Sequence, residues 1–247
     1  MATAADPTVS VVLVTGSSSG IGLATARRFA ERGDSVVFNS AHSVEAGEHA
    51  ADTTPGSIYI RADISNADDC ARMVGDVLER FGRLDILINN AGTTRVIPHR
   101  DLEAATLDVW REIFEVNVFG TWQLSIAAMK ALRESRGSIV NVSSAAGLRP
   151  SGSSIPYAAS KAALNHLTVL LAKVVGPEVR VNAVAPGLID TPWTQDWEAA
   201  RSFVQGVAPL RRSGSPDEVA DLIVALALSP YVTGQVVAVD GGFTIAT

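Results

Sequence analysis

Cysteine is almost missing from this chain of 247 residues; Cys70 is the one it has. A disulfide framework and a Cys-rich zinc site are therefore excluded, and no metal site is expected. Cys70 falls in the apolar series Cys70, Met73, Val74, Val77, Leu78 and Phe81, spaced as one helix face, so it reads as core rather than as a nucleophile. Positive charge is also short: 20 Lys and Arg stand against 26 Asp and Glu, net −6, with no basic cluster. That argues against nucleic acid or an anionic membrane as the partner. No apolar run approaches the roughly 20 residues that span a bilayer. The opening "MATAADPT" has no positively charged region, and the apolar run after it stops at "TGSSSG", so no signal peptide is expected and the cytoplasm is the default compartment.

What is present suits one large α/β domain spanning 1–247. Hydrophobic residues make up 47% of the chain and charged ones 19%, enough for a sizeable core. Short β-branched runs alternate with longer amphipathic ones. Seven runs read as strands: 9–15, 35–40, 57–62, 84–90, 138–144, 179–185 and 235–240. Several are apolar almost throughout, as strands buried on both faces of a parallel sheet should be. Between them lie helical patterns such as the Cys70 series and Val219, Leu222, Ile223, Leu226, the latter opened by the capping box "SPDE". Strict alternation predicts a doubly wound, seven-stranded parallel sheet with helices on both faces. Residues 187–214 break the pattern with a long stretch carrying Trp193, Trp197 and Phe203, the length of a lid or binding loop.

The first strand runs into "TGSSSGIG", Thr15 to Gly22, and then a helix beginning near Ile21. Glycines there let the backbone approach a pyrophosphate seated on the helix N-terminus. A tight strand-to-helix turn would need glycines too, but the position after the first strand of a βαβ unit favours a nucleotide. A fold that prefers NAD usually places an acid at the end of the second strand to hold the ribose 2′-hydroxyl. Here Ser40 occupies that place, with His42 close by and Asp34 at the wrong end. A serine tolerates a 2′-phosphate, so NADP is favoured over NAD.

The segment "YAASK" sets Tyr157 and Lys161 on one helix face, at i and i+4. A free phenol titrates near pH ~10 and is a poor proton-transfer group at neutrality. A fixed ammonium nearby would lower that value and make it useful. A surface helix with a solvated lysine would show the same spacing, so other residues must decide. "NNAG" (89–92) follows the fourth strand, "NVFG" (117–120) lies in the helical stretch before the fifth, and Ser144 ends the fifth. "TGSSSGIG", "NNAG", "NVFG", "SS" and "YAASK", in this order, resemble the short-chain dehydrogenase/reductase family. The resemblance runs on through "VNAVAPG" (181–187) and "VTGQVVAVDGG" (232–242), and so covers essentially the whole chain.

The resemblance implies a Rossmann-type oxidoreductase and a role for each motif residue. Tyr157 would be the general acid in carbonyl reduction and the base in alcohol oxidation. Lys161 would bond the nicotinamide ribose and lower the Tyr157 pKa. Ser144 would hydrogen-bond the substrate oxygen, and Asn117 would hold a water linking Lys161 to solvent. Gly16, Ser18, Ser19 and Ile21 would line the pyrophosphate and nearby ribose. Asp63 would take the adenine amino group with Ile64 beside it, while Asn90, Ala91 and Gly92 would flank the adenosine ribose. Ile189 and Thr191 would hold the carboxamide.

Candidate substrate-pocket residues are Thr94, Arg95, His99, Leu148, Arg149, Ile155, Leu188, Trp193 and Trp197. Trp193 and Trp197, at i and i+4, suit either an apolar lid or ordinary helix packing. The nearest likeness within the family is to 3-oxoacyl carrier-protein reductases, which use NADPH. An acidic carrier would need a basic landing surface, for which Lys130, Arg133, Arg136 and Lys173 are available, although cations at a helix C-terminus also serve its dipole. Relatives of the same look act, some with NAD, on sugars, steroids or cyclic alcohols, and a silent dinucleotide-binding regulator is the reading from another class. The family resemblance also implies a homo-oligomer, most often a tetramer, with a small-molecule substrate.

Overall fold

The computed structural model describes residues 9–246. The "MATAADPT" segment and Thr247 lie outside the described residues. Seven parallel strands form one sheet: β1 (Val11–Val14), β2 (Ser35–Ser40), β3 (Ile58–Arg61), β4 (Ile86–Asn89), β5 (Ser138–Val142), β6 (Arg180–Pro186) and β7 (Val236–Val239). Their order is β3-β2-β1-β4-β5-β6-β7, so the winding reverses between β1 and β4. In register, Val14 lies opposite Phe38 on one side and Ile88 on the other. All seven expected strands are found, five of them two or three residues shorter because the ends turn into the loops.

The α-helices are α1 (Gly20–Glu31), α2 (Val44–Asp52), α3 (Ala67–Phe81), α4 (Leu107–Phe114), α5 (Thr121–Ser135), α6 (Ile155–Val175), α7 (Glu198–Val207), α8 (Pro216–Leu228) and α9 (Phe243–Ala246). Alternate side chains of each strand point to opposite faces. Val11 and Leu13 therefore join Met73 and Val77 of α3, Leu124 and Leu132 of α5, and Leu171 of α6 in one core. Val12 and Val14 join Phe29 of α1, Ala50 of α2, and Val219 and Ile223 of α8 in the other. Every β1 side chain is buried, which explains its unbroken apolar run. Fully burying a Val or Leu side chain is worth roughly 1.5–3 kcal/mol, so two-sided burial makes this strand the spine of the sheet.

Helix ends follow local chemistry. Asn66 caps α3 by accepting from the Asp68 and Asp69 N–H groups, and Gly82, at φ 73°, ends it in the left-handed region. The capping box at α8 is formed: Glu218 N–H reaches Ser215 Oγ, and Ser215 N–H reaches Glu218 Oε2 at 2.8 Å. Ser154 caps α6 through the Tyr157 N–H, with Pro156 in the first turn, and so sets where Tyr157 stands.

Two stretches differ from the expected reading. The long helical segment before β5 is not regular, because Glu115–Gly120 form a π-helical turn between α4 and α5. The 187–214 stretch is not a bare loop. It holds a short turn of helix at Pro192–Thr194 and the whole of α7, and its outer end is tied down by the Asp190–Arg201 ion pair at 2.9 Å. Among the described residues no helix is long and apolar enough to cross a membrane, and no group of three or more His, Cys, Asp or Glu is placed to hold a metal.

Candidate active site

A cleft of about 890 Å³ opens at the carboxyl ends of the strands, over the reversal between β1 and β4. An open α/β sheet binds ligands at this point. Its floor is the glycine loop. Gly16 has φ +60°, and a Cβ there would lie 2.9 Å from the Ala91 Cα. At Gly22 a Cβ would meet the Gly16 carbonyl and the Asn90 amide nitrogen, so the turn and the start of α1 admit only glycine at these two places. Thr15 binds the two loops together. Its Oγ1 accepts from the Asn90 and Ala91 N–H groups, both at 3.0 Å. The Asn90 amide in turn donates to the Thr15 and Gly16 carbonyls. Helix α1 has no side-chain cap and no acid in its first turn, which leaves its N-terminal dipole and N–H groups directed at the cleft. This cradle fits a dinucleotide pyrophosphate.

The opposite wall carries the candidate chemistry. Ser144, just beyond β5, accepts from the Ala146 N–H at 3.2 Å, which leaves its own O–H proton free to be given. Tyr157 stands one turn into α6, and Lys161 follows one turn later on the same face. Lys161 is only 4% exposed, and its ammonium lies 5.7 Å from the centre of the Tyr157 ring and donates to the Val142 carbonyl at 2.9 Å. Burial lowers its pKa from 10.5 to about 8. At Tyr157 burial is also the largest influence and raises the phenol pKa, while a hydrogen bond with Ser144 acts in the opposite direction. Against the sequence expectation of a lowered phenol pKa, the net direction is upward, because burial outweighs the hydrogen bond. The ammonium is held on a backbone carbonyl, and the Ser144 hydrogen bond favours phenolate.

Asn117 lies in the π-helical turn, buried behind the cleft. Its Oδ1 accepts from the Thr93 N–H at 2.8 Å, and its Nδ2 donates to the Thr93 carbonyl and to Ser160 Oγ, both at 3.0 Å. These bonds brace the end of the "NNAG" loop against α6. Gly92 fills the gap between them: a Cβ there would be 3.2 Å from Asn117 Oδ1 and 3.6 Å from Lys161 Nζ.

Of the expected cofactor residues, Gly16, Ser19, Ile21, Asn90, Ala91, Gly92, Ile189 and Thr191 line the cleft with Ser144, Tyr157 and Lys161. Ser18, Ser40, His42 and Asp63 do not; they stand along the rim where β1, β2 and β3 end. Ser40 is buried, and its hydroxyl bonds the Ser43 carbonyl at 3.0 Å and the Tyr59 hydroxyl at 2.9 Å, so it faces its own strand end. Asp63 Oδ1 accepts from both the N–H and the hydroxyl of Ser65. Ile64 is core, packed under Gly120. Of the substrate candidates, Thr94, His99, Leu188, Trp193 and Trp197 line the cleft, and Arg95, Leu148, Arg149 and Ile155 do not. Arg95 pairs with Glu112, and Arg149 donates to the Thr244 carbonyl. Trp193 is half exposed, and its ring stands edge-on to Tyr157, so it is not helix packing.

Sequence reasoning missed Thr15, Ser154, Ser160 and Arg61, whose roles depend on partners far along the chain. Arg61, on the edge strand, donates to the Ala41 carbonyl at 3.2 Å and so sets a cation beside the end of β2.

Residues 16–244 match the family model described as enoyl-(acyl carrier protein) reductase. The chain belongs to the short-chain dehydrogenase/reductase family. It is 56% identical over 240 residues, 96% of both chains, to a protein named as ketoacyl reductase 2 of the granaticin polyketide synthase of Streptomyces violaceoruber. It is 39% identical to the 3-oxoacyl-(acyl-carrier-protein) reductase of Thermotoga maritima, over 95% of this chain and 98% of that one. A solved structure named as a short-chain dehydrogenase/reductase of Burkholderia xenovorans superposes with a TM-score of 0.90 at 40% identity, covering 96% of this chain and 99% of the other. The protein is accordingly an oxidoreductase of carbonyl and hydroxyl groups that works with a nicotinamide cofactor.

Proposed function

We propose that the protein is an NADPH-dependent reductase of 3-oxoacyl thioesters, converting the 3-oxo group to a hydroxyl. The observation that carries this reading is the placement of Ser144, Tyr157 and Lys161 on one wall of a cleft whose floor is the glycine cradle. The names of the two curated relatives support the substrate class.

The cofactor, when bound, supplies the hydride to the carbonyl carbon. Tyr157 gives its proton to the carbonyl oxygen, and Ser144 donates a hydrogen bond to the same atom as charge develops there. The raised phenol pKa suits an acid that must still hold its proton at neutral pH. Lys161 presents its remaining N–H groups toward the ribose side of the cleft. Asn117 acts by position, keeping Gly92 and the lysine in register. Gly16, Ser19 and Ile21 cradle the pyrophosphate, and Ile189 and Thr191 hold the nicotinamide end.

NADP over NAD is supported by the end of β2, which offers no carboxylate. Ser40 is turned inward, His42 is exposed, and Arg61 brings a guanidinium to the Ala41 carbonyl. Asp34, at the other end of the strand, takes the Ser10 N–H. Binding at low salt should therefore favour the extra phosphate.

A homo-oligomer is supported by an apolar surface along α5 and α6, where Trp122, Ile126, Leu170 and Val174 are exposed. A cytoplasmic tetramer is the assembly of this reading. Docking of a carrier through Lys130, Arg133, Arg136 and Lys173 is not part of the reading. Those residues lie toward the C-terminal ends of α5 and α6, at the end of the sheet opposite the cleft, and Lys130 is paired with Glu134.

The test is reduction of an acetoacetyl thioester with NADPH by the parent and by Tyr157→Phe. Turnover in the parent that falls at least a hundredfold in the variant, with cofactor binding kept, supports the reading. Equal turnover in the two overturns the assigned chemistry.

A further inference from the structure

The turn that follows β7 and carries α9 is held from three directions. Asp240 spans it: one carboxylate oxygen accepts from the Gly242 N–H at 2.9 Å and the other from the Thr244 N–H at 2.7 Å. The Leu210 N–H, beyond α7, donates to the Gly241 carbonyl at 3.0 Å, and Pro209 fills the space where a Gly242 Cβ would stand. From the loop that follows Ser144, Arg149 donates to the Thr244 carbonyl at 3.0 Å. None of these ties belongs to the sheet; what they fix is Phe243. Its side chain lines the cleft and is 8% exposed. With Ala145, Val204 and Ala208 it forms a small buried apolar cluster apart from the two main cores, and Leu188 packs against that cluster. Ala145 directly follows Ser144, so the cluster walls the cleft on the Ser144 side. Phe203 of α7 stands edge-on to Phe243, 6.2 Å between centroids and 74° between planes. By contrast, Val96 and Trp193 line the same cleft and are well exposed, so the cavity has an open apolar mouth and a closed apolar end.

We propose that Phe243 is a specificity-determining residue, the stop that sets how long an acyl tail the site accepts. The inference rests on the proposed function, which places the reacting carbonyl at Ser144 and Tyr157. The carbonyl carbon carries two groups. One is the arm that ends in the thioester, whose sulfur is joined to a carrier far larger than the cleft, so this arm leaves by the open mouth. The other is the alkyl tail, which is left to the closed end beside Ser144, where Ala145, Leu188, Val204 and Phe243 meet it. There each further methylene either fits or must displace a ring whose turn Asp240, Arg149 and Leu210 hold in place. One methylene in a hydrophobic pocket discriminates by about 10–200-fold.

Parent, Phe243→Ala and Phe243→Trp are assayed with NADPH on the N-acetylcysteamine thioesters of 3-oxobutanoic, 3-oxohexanoic, 3-oxooctanoic and 3-oxodecanoic acids. The readout is the ratio of kcat/KM between the longest and the shortest tail, which a loss of folded protein or of cofactor affinity leaves unmoved. In the parent kcat/KM should drop about tenfold or more at one step of the series. Phe243→Ala should raise the long-to-short ratio about tenfold or more, and Phe243→Trp should lower it. If Phe243→Ala does not fold, Phe243→Leu must raise the ratio in its place. A flat profile in the parent, or ratios that stay within about twofold of the parent's in the variants, would overturn the proposal. Binding keeps this test apart from that of the reduction. With oxidised NADP bound, so that no ketone is reduced, the same thioesters are titrated against tryptophan fluorescence, to which Trp193 and Trp197 in the cleft respond. A parent that binds the series and reduces none of it defeats the proposed reduction, while the ratio of Kd values still judges Phe243: moved by the variants it upholds the stop, unmoved it removes it. A parent that binds none of them overturns both.

Discussion

The rings of Trp193 and Tyr157 meet edge to face, 6.5 Å between centroids and 79° between planes. One belongs to the 187–214 stretch and the other to α6, so the contact joins that stretch to the proposed proton donor. Aromatic pairs in this arrangement contribute about 0.5–1.5 kcal/mol beyond their buried area. Trp193 is 50% exposed, so little of the fold depends on it. Trp193→Ala should lower kcat/KM about tenfold with almost no change in Tm, and Trp193→Phe should restore most of the loss. A large fall in Tm would show instead that the ring holds the lid in place.

Removal of Ser144 should act on the transition state. In the proposed reaction its hydroxyl faces the reacting oxygen, and its hydrogen bond opposes the burial that raises the Tyr157 pKa. Ser144→Ala should cut kcat by about a hundredfold to a thousandfold, the range seen when one oxyanion donor is lost, with KM changed far less. Because the phenol pKa is raised, reduction should hold its rate from neutral pH downward as far as the protein stays folded. Alcohol oxidation, which needs phenolate, should rise with pH through the neutral and alkaline range. An oxidation rate flat over that range would contradict Tyr157 as the base.

Much of this was legible in the chain. Strands β1, β4 and β5 announced themselves because both their faces are buried and they are apolar almost throughout; of the few polar side chains they carry, Asn89 donates to Asn141 and Ser125. The Tyr157–Lys161 pairing was legible because helical spacing puts them on one face. What was not legible depends on residues brought together by the fold. Ser40 turns inward because Tyr59, on the neighbouring strand, offers it a hydroxyl. The π-helical turn at Asn117 has no periodic signature, since it only shifts the phase of an otherwise apolar helix. Likewise Trp193 and Trp197 look like one helical stripe, yet Pro192–Thr194 and α7 are separate pieces and Trp197 only precedes the second.

The inward turn of Ser40 changes how cofactor preference should be engineered. An aspartate at Ser40 would be buried beside Tyr59, where an unpaired carboxylate is costly. Ala41 is next along, partly open, and adjacent to Arg61. Ala41→Asp should therefore shift preference from NADPH toward NADH by about tenfold or more, and Arg61→Ala should weaken NADPH alone. Fluorescence titration with both cofactors checks this. Unchanged NADPH affinity in Arg61→Ala would remove the guanidinium from the phosphate site.

Gly22 tests the cradle itself. A methyl group there would run into the Gly16 carbonyl and the Asn90 amide, both backed by the Thr15 bonds. Neither neighbour is the free end of a flexible side chain. Gly22→Ala should cost about 1–3 kcal/mol of stability and weaken cofactor binding by more than tenfold, because relief comes only by moving the turn that receives the pyrophosphate. A variant as stable as the parent with full cofactor affinity would mean that the loop has slack.

Lys161 should trade stability for function. Its pKa is about 8 in the folded protein against 10.5 when solvated, so folding disfavours its charged form. Below pH 8 the residue is charged in both states, and the cost is fully present, about 3 kcal/mol from the size of the shift. Between pH 8 and 10.5 the unfolded chain holds the proton that the folded one has lost. The unfolded state then binds more protons, and this group's contribution to stability rises with pH. Above 10.5 the cost has vanished. Lys161→Met removes the charge but leaves the Val142 carbonyl without its donor, which gives back about 1 kcal/mol. The variant should thus be inactive yet about 2 kcal/mol more stable than the parent near pH 7, with the gap narrowing from pH 8 and turning to about 1 kcal/mol in the parent's favour by pH 10.5. Denaturant unfolding of both proteins across that range measures it. A gap independent of pH would show that Lys161 keeps its ordinary pKa, as it would if water reached the ammonium through the cleft.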